Sequence, residues 1–127
     1  MDHDSILICE DDPVQAKILT AGAARRNLTI YGPCETEEDA LAAAQVAPIC
    51  GALLDVSLIG GTVHEIARIL KDRDLPFAFI TAYGPGTDQV LRAFPENLVI
   101  PKPITLDTLD LILDRLLEGS PLKKAVG

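Results

Sequence analysis

What most constrains this chain is a recurrent alternation: short apolar runs, each closed within two residues by a polar or charged residue and then followed by a stretch of helical period. Ser5 to Cys9 (SILIC) is such a run, and so are Cys50 to Leu54 (CGALL), Pro76 to Ile80 (PFAFI) and Leu98 to Ile100. A strand that is apolar at every position rather than at alternate ones is expected where both sheet faces are covered. Leu28 to Tyr31 supplies one more strand, making five βα units. Repeated βα units imply a parallel sheet with right-handed crossovers and helices on both faces, an α/β fold.

The helix signals agree. Asp12-Pro13 offers an N-cap followed by the residue best suited to a first turn, for a helix running to about Arg26. Thr36 and the acids Glu37, Glu38 and Asp39 precede the alanine-rich Leu41 to Val46, and Pro48 ends that helix. Val63, Ile66, Ala67 and Leu70 form a stripe at helical spacing after a Gly60-Gly61 turn, and Thr87 to Phe94 is a short helix. Thr105 caps the last helix, whose Leu106, Leu109, Leu113, Leu116 and Leu117 face the sheet while Leu111 lies off the stripe as a candidate partner contact.

At 127 residues, with 48% apolar and 24% charged, the chain reads as a single domain, core about 5–118 with a short C-terminal tail, that needs no metal or disulfide to hold its core. Eleven Lys and Arg against 19 Asp and Glu give a net charge of -8. Such a chain is poorly suited to neutralise a phosphate backbone and is repelled by an anionic membrane face, so neither nucleic acid nor membrane is expected as a partner. Cys9, Cys34 and Cys50 are odd in number and widely spaced, suggesting neither a disulfide framework nor zinc, and they read as reduced core or loop residues. With no export signal or spanning segment, the chain reads as cytoplasmic.

Parallel α/β folds bind ligands at the carboxyl ends of their strands. Those ends collect Glu10 and Asp11, Asp55, Thr81 and Lys102. Three carboxylates gathered together call for a hard divalent cation, and magnesium takes oxygen ligands and favours an adjoining phosphate. Lys102 brings a point charge and Thr81 a hydroxyl to balance a phosphoryl group, and Asp55 is the candidate nucleophile, since carboxylates form aspartyl-phosphates. His64 and His3 read as surface and terminal residues, and Gly60-Gly61 lacks the context of a nucleotide loop.

In this order and spacing, ILICEDDP, LLDVSL, FITAY and PKP resemble the receiver domain of two-component response regulators. The resemblance implies a flavodoxin-like (βα)5 fold with strand order 2-1-3-4-5. It implies that Glu10, Asp11 and Asp55, with the backbone carbonyl of Ser57, hold Mg2+, for which Mn2+ can substitute. It further implies that Asp55 accepts phosphate from a kinase phosphohistidine, that Thr81 and Lys102 bind the phosphoryl oxygens, and that the Lys102-Pro103 peptide is cis. The partners would be a sensor histidine kinase or phosphotransfer protein and a downstream protein, with the chain itself monomeric and no enzyme beyond its own phosphorylation and dephosphorylation.

PFAFITAYG, with LLDVSLIGG upstream, is similar to the single-domain alphaproteobacterial receivers with an FATGY-like motif, departing at Ile80 and Ala82. Val99 stands where receivers carry an aromatic switch, so Tyr83, beside Thr81, is the expected switch residue, and Tyr83 to Phe94 the element phosphorylation shifts. Two other classes stay open: a degenerate receiver that only binds protein, and an aspartyl-phosphate phosphatase. The phosphatase chemistry usually follows the first strand with a second Asp two residues on, where this chain has Ser57 after Asp55.

Overall fold

Burial on both faces sorts the strands into the middle of the molecule. In the computed structural model, which describes residues 5–59, 62–82, 92 and 98–118, the first strand β1 (Ser5–Cys9) is buried at every position, as are β3 (Gly51–Asp55) and β4 (Phe77–Thr81). With β2 (Thr29–Cys34) and β5 (Leu98–Pro101) they form one parallel five-stranded sheet in the order β2-β1-β3-β4-β5. The expected α/β architecture and strand order are both present.

Successive residues of a strand face opposite sides of the sheet, and the core divides accordingly. Leu7, Cys9, Ala52, Leu54, Phe77 and Phe79 pack with α2 (Glu37–Val46), the short α3 (Val56–Ile59) and α4 (Val63–Asp72). Ile6, Ile8, Leu53, Ala78, Ile80 and Ile100 pack with α1 (Pro13–Ala24) and α5 (Leu106–Glu118) on the other face. On the first face Arg73 donates to the carbonyls of Ala44 and Ala47, both at 2.7 Å, so one guanidinium satisfies carbonyls that the end of α2 leaves without helical partners.

The caps are where the sequence puts them. Asp12 accepts from Val14 N–H at 3.0 Å, Thr36 from Asp39 N–H at 3.1 Å and Thr105 from Thr108 N–H at 3.1 Å. Ile66, Ala67, Leu70, Leu109, Leu113 and Leu116 are buried, and Leu111 is exposed.

Three expectations need correction. The second strand is not confined to Leu28–Tyr31 but runs from Thr29 to Cys34, because an edge strand tolerates the Gly32-Pro33 pair that would interrupt a central one. The first helix ends at Ala24 rather than about Arg26, and the chain turns through Asn27 at φ 60. Leu106 does not face the sheet: it is 37% exposed in the first turn of α5, where it lies against α1 beside Gly22. The expected helix from Thr87 to Phe94 lies outside the described residues, Arg92 apart.

Candidate functional site

Register determines which residues meet at the carboxyl edge. Cys9 pairs with Leu54, so Glu10 comes level with Asp55; Asp55 pairs with Ile80, and Thr81 with Pro101, so Thr81 and Lys102 arrive at the same edge. Backbone bonds hold the rim in place: Glu10 N–H donates to Cys34 O at 3.0 Å and Lys102 N–H to Thr81 O at 2.9 Å. The Lys102-Pro103 peptide is cis.

The side chains converge. Lys102 Nζ lies 2.9 Å from Asp55 Oδ2 and 3.3 Å from Glu10 Oε1, and both carboxylates are 1% exposed. The other oxygen of Asp55, Oδ1, accepts from Ser57 N–H at 2.9 Å and Ser57 Oγ–H at 2.8 Å, while Glu10 Oε2 accepts from Asp12 N–H at 3.1 Å. Asp11 is exposed at the rim, and the ligand atoms of Glu10, Asp11 and Asp55 all lie within 4.8 Å of one another. Thr81 is buried at the end of β4.

Electrostatics follows from this crowding. Burial is the main cause that pushes the Glu10 carboxyl up to about 7, and its hydrogen bond with Asp55 adds to it; the Asp12 N–H and the Lys102 charge work the other way. Burial would raise Asp55 too, but its hydrogen bonds with Glu10, Lys102 and Ser57 outweigh burial and hold it below the ordinary carboxylate value. Desolvation works against the Lys102 ammonium, yet the bond to Asp55 and the attraction of both carboxylates leave its pKa raised. The result is a buried pair of unequal acids, Asp55 the stronger and Glu10 the weaker, with the Lys102 cation bridging it.

Glu10 Oε1 decides whether a metal fits. It is fully buried and, though near the Lys102 ammonium, makes no hydrogen bond. A buried carboxylate oxygen without a bond is costly, and coordination to a hard cation would satisfy it. The donor set, three carboxylates at one open edge, is the oxygen-rich kind that magnesium accepts while keeping waters.

All five strand-end residues selected from the sequence therefore belong to one edge, with Glu10, Asp55 and Lys102 in direct contact. Ser57 is there as well, through its N–H and hydroxyl. Tyr83 lies outside the described residues. One residue escaped sequence reasoning: Gln15, whose Oε1 accepts from Ile104 N–H at 2.9 Å and so ties the segment after Lys102-Pro103 to α1. A glutamine in a helix carries no signal that it will reach a loop 89 positions away.

No protein-family model matches this chain, and no curated protein does. Solved structures match closely. The chain is 36% identical to SdrG from Sphingomonas melonis Fr1, over 92% of this chain and 99% of that one, with a TM-score of 0.75. It is 25% identical to the signal receiver domain of a modulated diguanylate cyclase from Desulfovibrio desulfuricans G20, covering 94% and 97% at a TM-score of 0.76. With the non-phosphorylated HemR receiver domain from Leptospira biflexa the identity is 27%, the coverage 89% and 93%, and the TM-score 0.72.

Proposed function

The chain belongs to the receiver-domain family of response regulators, and we propose on that footing that it takes a phosphoryl group from a histidine kinase phosphohistidine onto Asp55 with magnesium bound. The observation that carries this reading is the contact set at the carboxyl edge: one ammonium spanning Asp55 and Glu10, beside an exposed Asp11 and a buried carboxylate oxygen that lacks a hydrogen bond.

Glu10, Asp11 and Asp55, with the Ser57 carbonyl, would hold the ion; Mn2+ would serve as well. When bound, the metal supplies positive charge that screens one anion from another. The steps on protein atoms follow from the contacts. An Asp55 carboxylate oxygen attacks phosphorus, the P–N bond to the kinase histidine breaks, and the imidazole leaves with the electron pair. Ser57 N–H and Oγ–H keep the Asp55 carboxylate from rotating. Lys102 turns from the carboxylates to a phosphoryl oxygen, and the Thr81 hydroxyl donates to another, which compensates the added charge.

The chain so read is a phosphoacceptor and not an enzyme acting on a separate substrate. It would act in the cytoplasm as a monomer, its partners a sensor kinase or phosphotransfer protein and a downstream protein. PFAFITAYG supports placing it with single-domain receivers of the FATGY-like subgroup, with Thr81 and Tyr83 as the switch pair. Among the described residues no helix is long and apolar enough to cross a membrane.

Acetyl phosphate or phosphorylated kinase tests the reading. Mass spectrometry after rapid quenching should find one added phosphoryl group, dependent on magnesium and absent from Asp55→Asn. Undiminished phosphorylation of that variant at another residue would overturn the assignment.

A further inference from the structure

Two of the three cysteines, 25 positions apart in the sequence, become neighbours in the sheet. Cys9 closes β1, Cys34 closes β2, and the register pairs them, with a shift between Leu7 and Cys9. That shift matters. Leu7 pairs with Tyr31, so an unbroken ladder would set Pro33 against Cys9 and turn Cys34 to the opposite face. One extra residue on β2 restores the match, and both cysteines enter the same apolar cluster beneath α2 and α4. Gly32 makes this possible: its φ is +114, and a Cβ there would lie 2.6 Å from both Ile8 O and Cys34 N.

The two thiols interact directly. They also differ in access. Cys9 is 0% exposed, whereas Cys34 lines a cavity of about 330 Å³ together with Tyr31, Gly32, Pro33 and Asp39. Paired parallel strands lie about 4.8 Å apart, inside the roughly 4.4–6.8 Å between Cα atoms that a disulfide spans.

We propose that Cys9 and Cys34 form a redox-modifiable dithiol, in which Cys34 reacts with a peroxide and Cys9 resolves the product into a cross-strand disulfide. In the first step the Cys34 thiolate attacks one peroxide oxygen. The O–O bond breaks, the second oxygen takes up a proton and leaves as water, and Cys34, oxidised by two electrons, becomes a sulfenic acid. In the second step Cys9 Sγ attacks the Cys34 sulfur, the S–O bond breaks, and the departing hydroxide takes the Cys9 proton and leaves as water. Two thiols and one hydrogen peroxide give one disulfide and two waters. The bond would form one residue before Glu10 and on the residue whose carbonyl holds the Glu10 N–H.

The test treats the fully reduced chain with a few-fold excess of hydrogen peroxide, quenches with an alkylating agent and reads intact mass and tryptic peptides. Loss of two hydrogens is expected, with the peptide ending at Lys17 joined to the peptide beginning at Asn27, reversal by dithiothreitol, and the same link in Cys50→Ser, which removes the other cysteine on that peptide. Cys9→Ser should give no link and a Cys34 sulfenic acid trapped by dimedone. Three thiols left free, over-oxidation of Cys34 with Cys9 still alkylatable, or a link through Cys50 or between two chains would each overturn the proposal. The unsubstituted chain and Cys50→Ser decide it even if Cys9→Ser fails to fold.

Discussion

Glu10→Gln should make the metal-free protein more stable while weakening its response to magnesium. In the folded chain the Glu10 carboxyl is pushed up to about 7 from 4.5, chiefly by burial. At about 1.4 kcal/mol per tenfold change in proton affinity, that displacement amounts to about 3 kcal/mol lost when the group is ionised. The glutamine gives back part of this. It keeps an acceptor for Asp12 N–H and can donate to Asp55, but it forgoes the ion pair with Lys102. A net gain of about 1–3 kcal/mol is expected above pH 8 with a chelator present.

The sign with pH follows from the raised value. A group whose folded pKa lies above its unfolded one contributes stability that is complete below about 4.5 and is lost as pH rises through about 7. The advantage of the variant should therefore be near zero around pH 4.5, grow across that window and level off above it. Magnesium should narrow the gap. At a hundredfold excess over Kd a bound ion adds about 2.7 kcal/mol, and the variant, with one anionic ligand fewer, should need more ion for the same gain. Urea unfolding of both proteins, at pH 4.5, 6 and 8 with chelator and with magnesium, reads all of this. A Glu10→Gln protein less stable than its parent at pH 8 in chelator would refute the reasoning, because it would mean that the ionised glutamate is a net asset without metal.

Arg73→Ala removes the guanidinium from the carbonyls of Ala44 and Ala47 and should lower stability by about 2–4 kcal/mol in a urea melt, from two charge-assisted bonds. Gly32→Ala puts a Cβ 2.6 Å from Ile8 O and Cys34 N at φ +114 and should destabilise by about 2 kcal/mol or more, measured by thermal unfolding. Gln15→Ala should speed hydrogen exchange at Ile104 and slow phosphorylation by acetyl phosphate a few-fold, without changing the phosphorylated residue.

How far the sequence could be read depended on where the information sits. β1, β3 and β4 were legible because strands buried on both faces must be apolar throughout, and the strand-end residues followed from the fold rule alone. The limits of β2 were not: Gly32-Pro33 reads as a breaker, and only its place at the sheet edge lets the strand continue around a bulge. Leu106 satisfied the helical period yet lies in the first turn, where the neighbour is α1 rather than the sheet. Cys9 and Cys34 looked unrelated because sequence spacing says nothing of a parity change made by one extra residue. Gln15 was invisible for a similar reason, since its partner is a backbone N–H, which every residue but proline possesses.

The bridging ammonium bears on the order of arrival at the site. Lys102 brings one positive charge to three carboxylates, and its backbone is anchored to Thr81 O, so its head can travel while its root cannot. Once Glu10 has ionised, above about pH 7, the edge carries a formal deficit of two positive charges, so an anionic donor arriving first would meet repulsion. A divalent ion held by these carboxylates would cancel that deficit, and the Lys102 head would then be free to turn from Glu10 to the donor. For the phosphotransfer proposed above, the cation is therefore expected to load ahead of the phosphoryl group, and a donor added to chelated protein should react poorly even at high concentration.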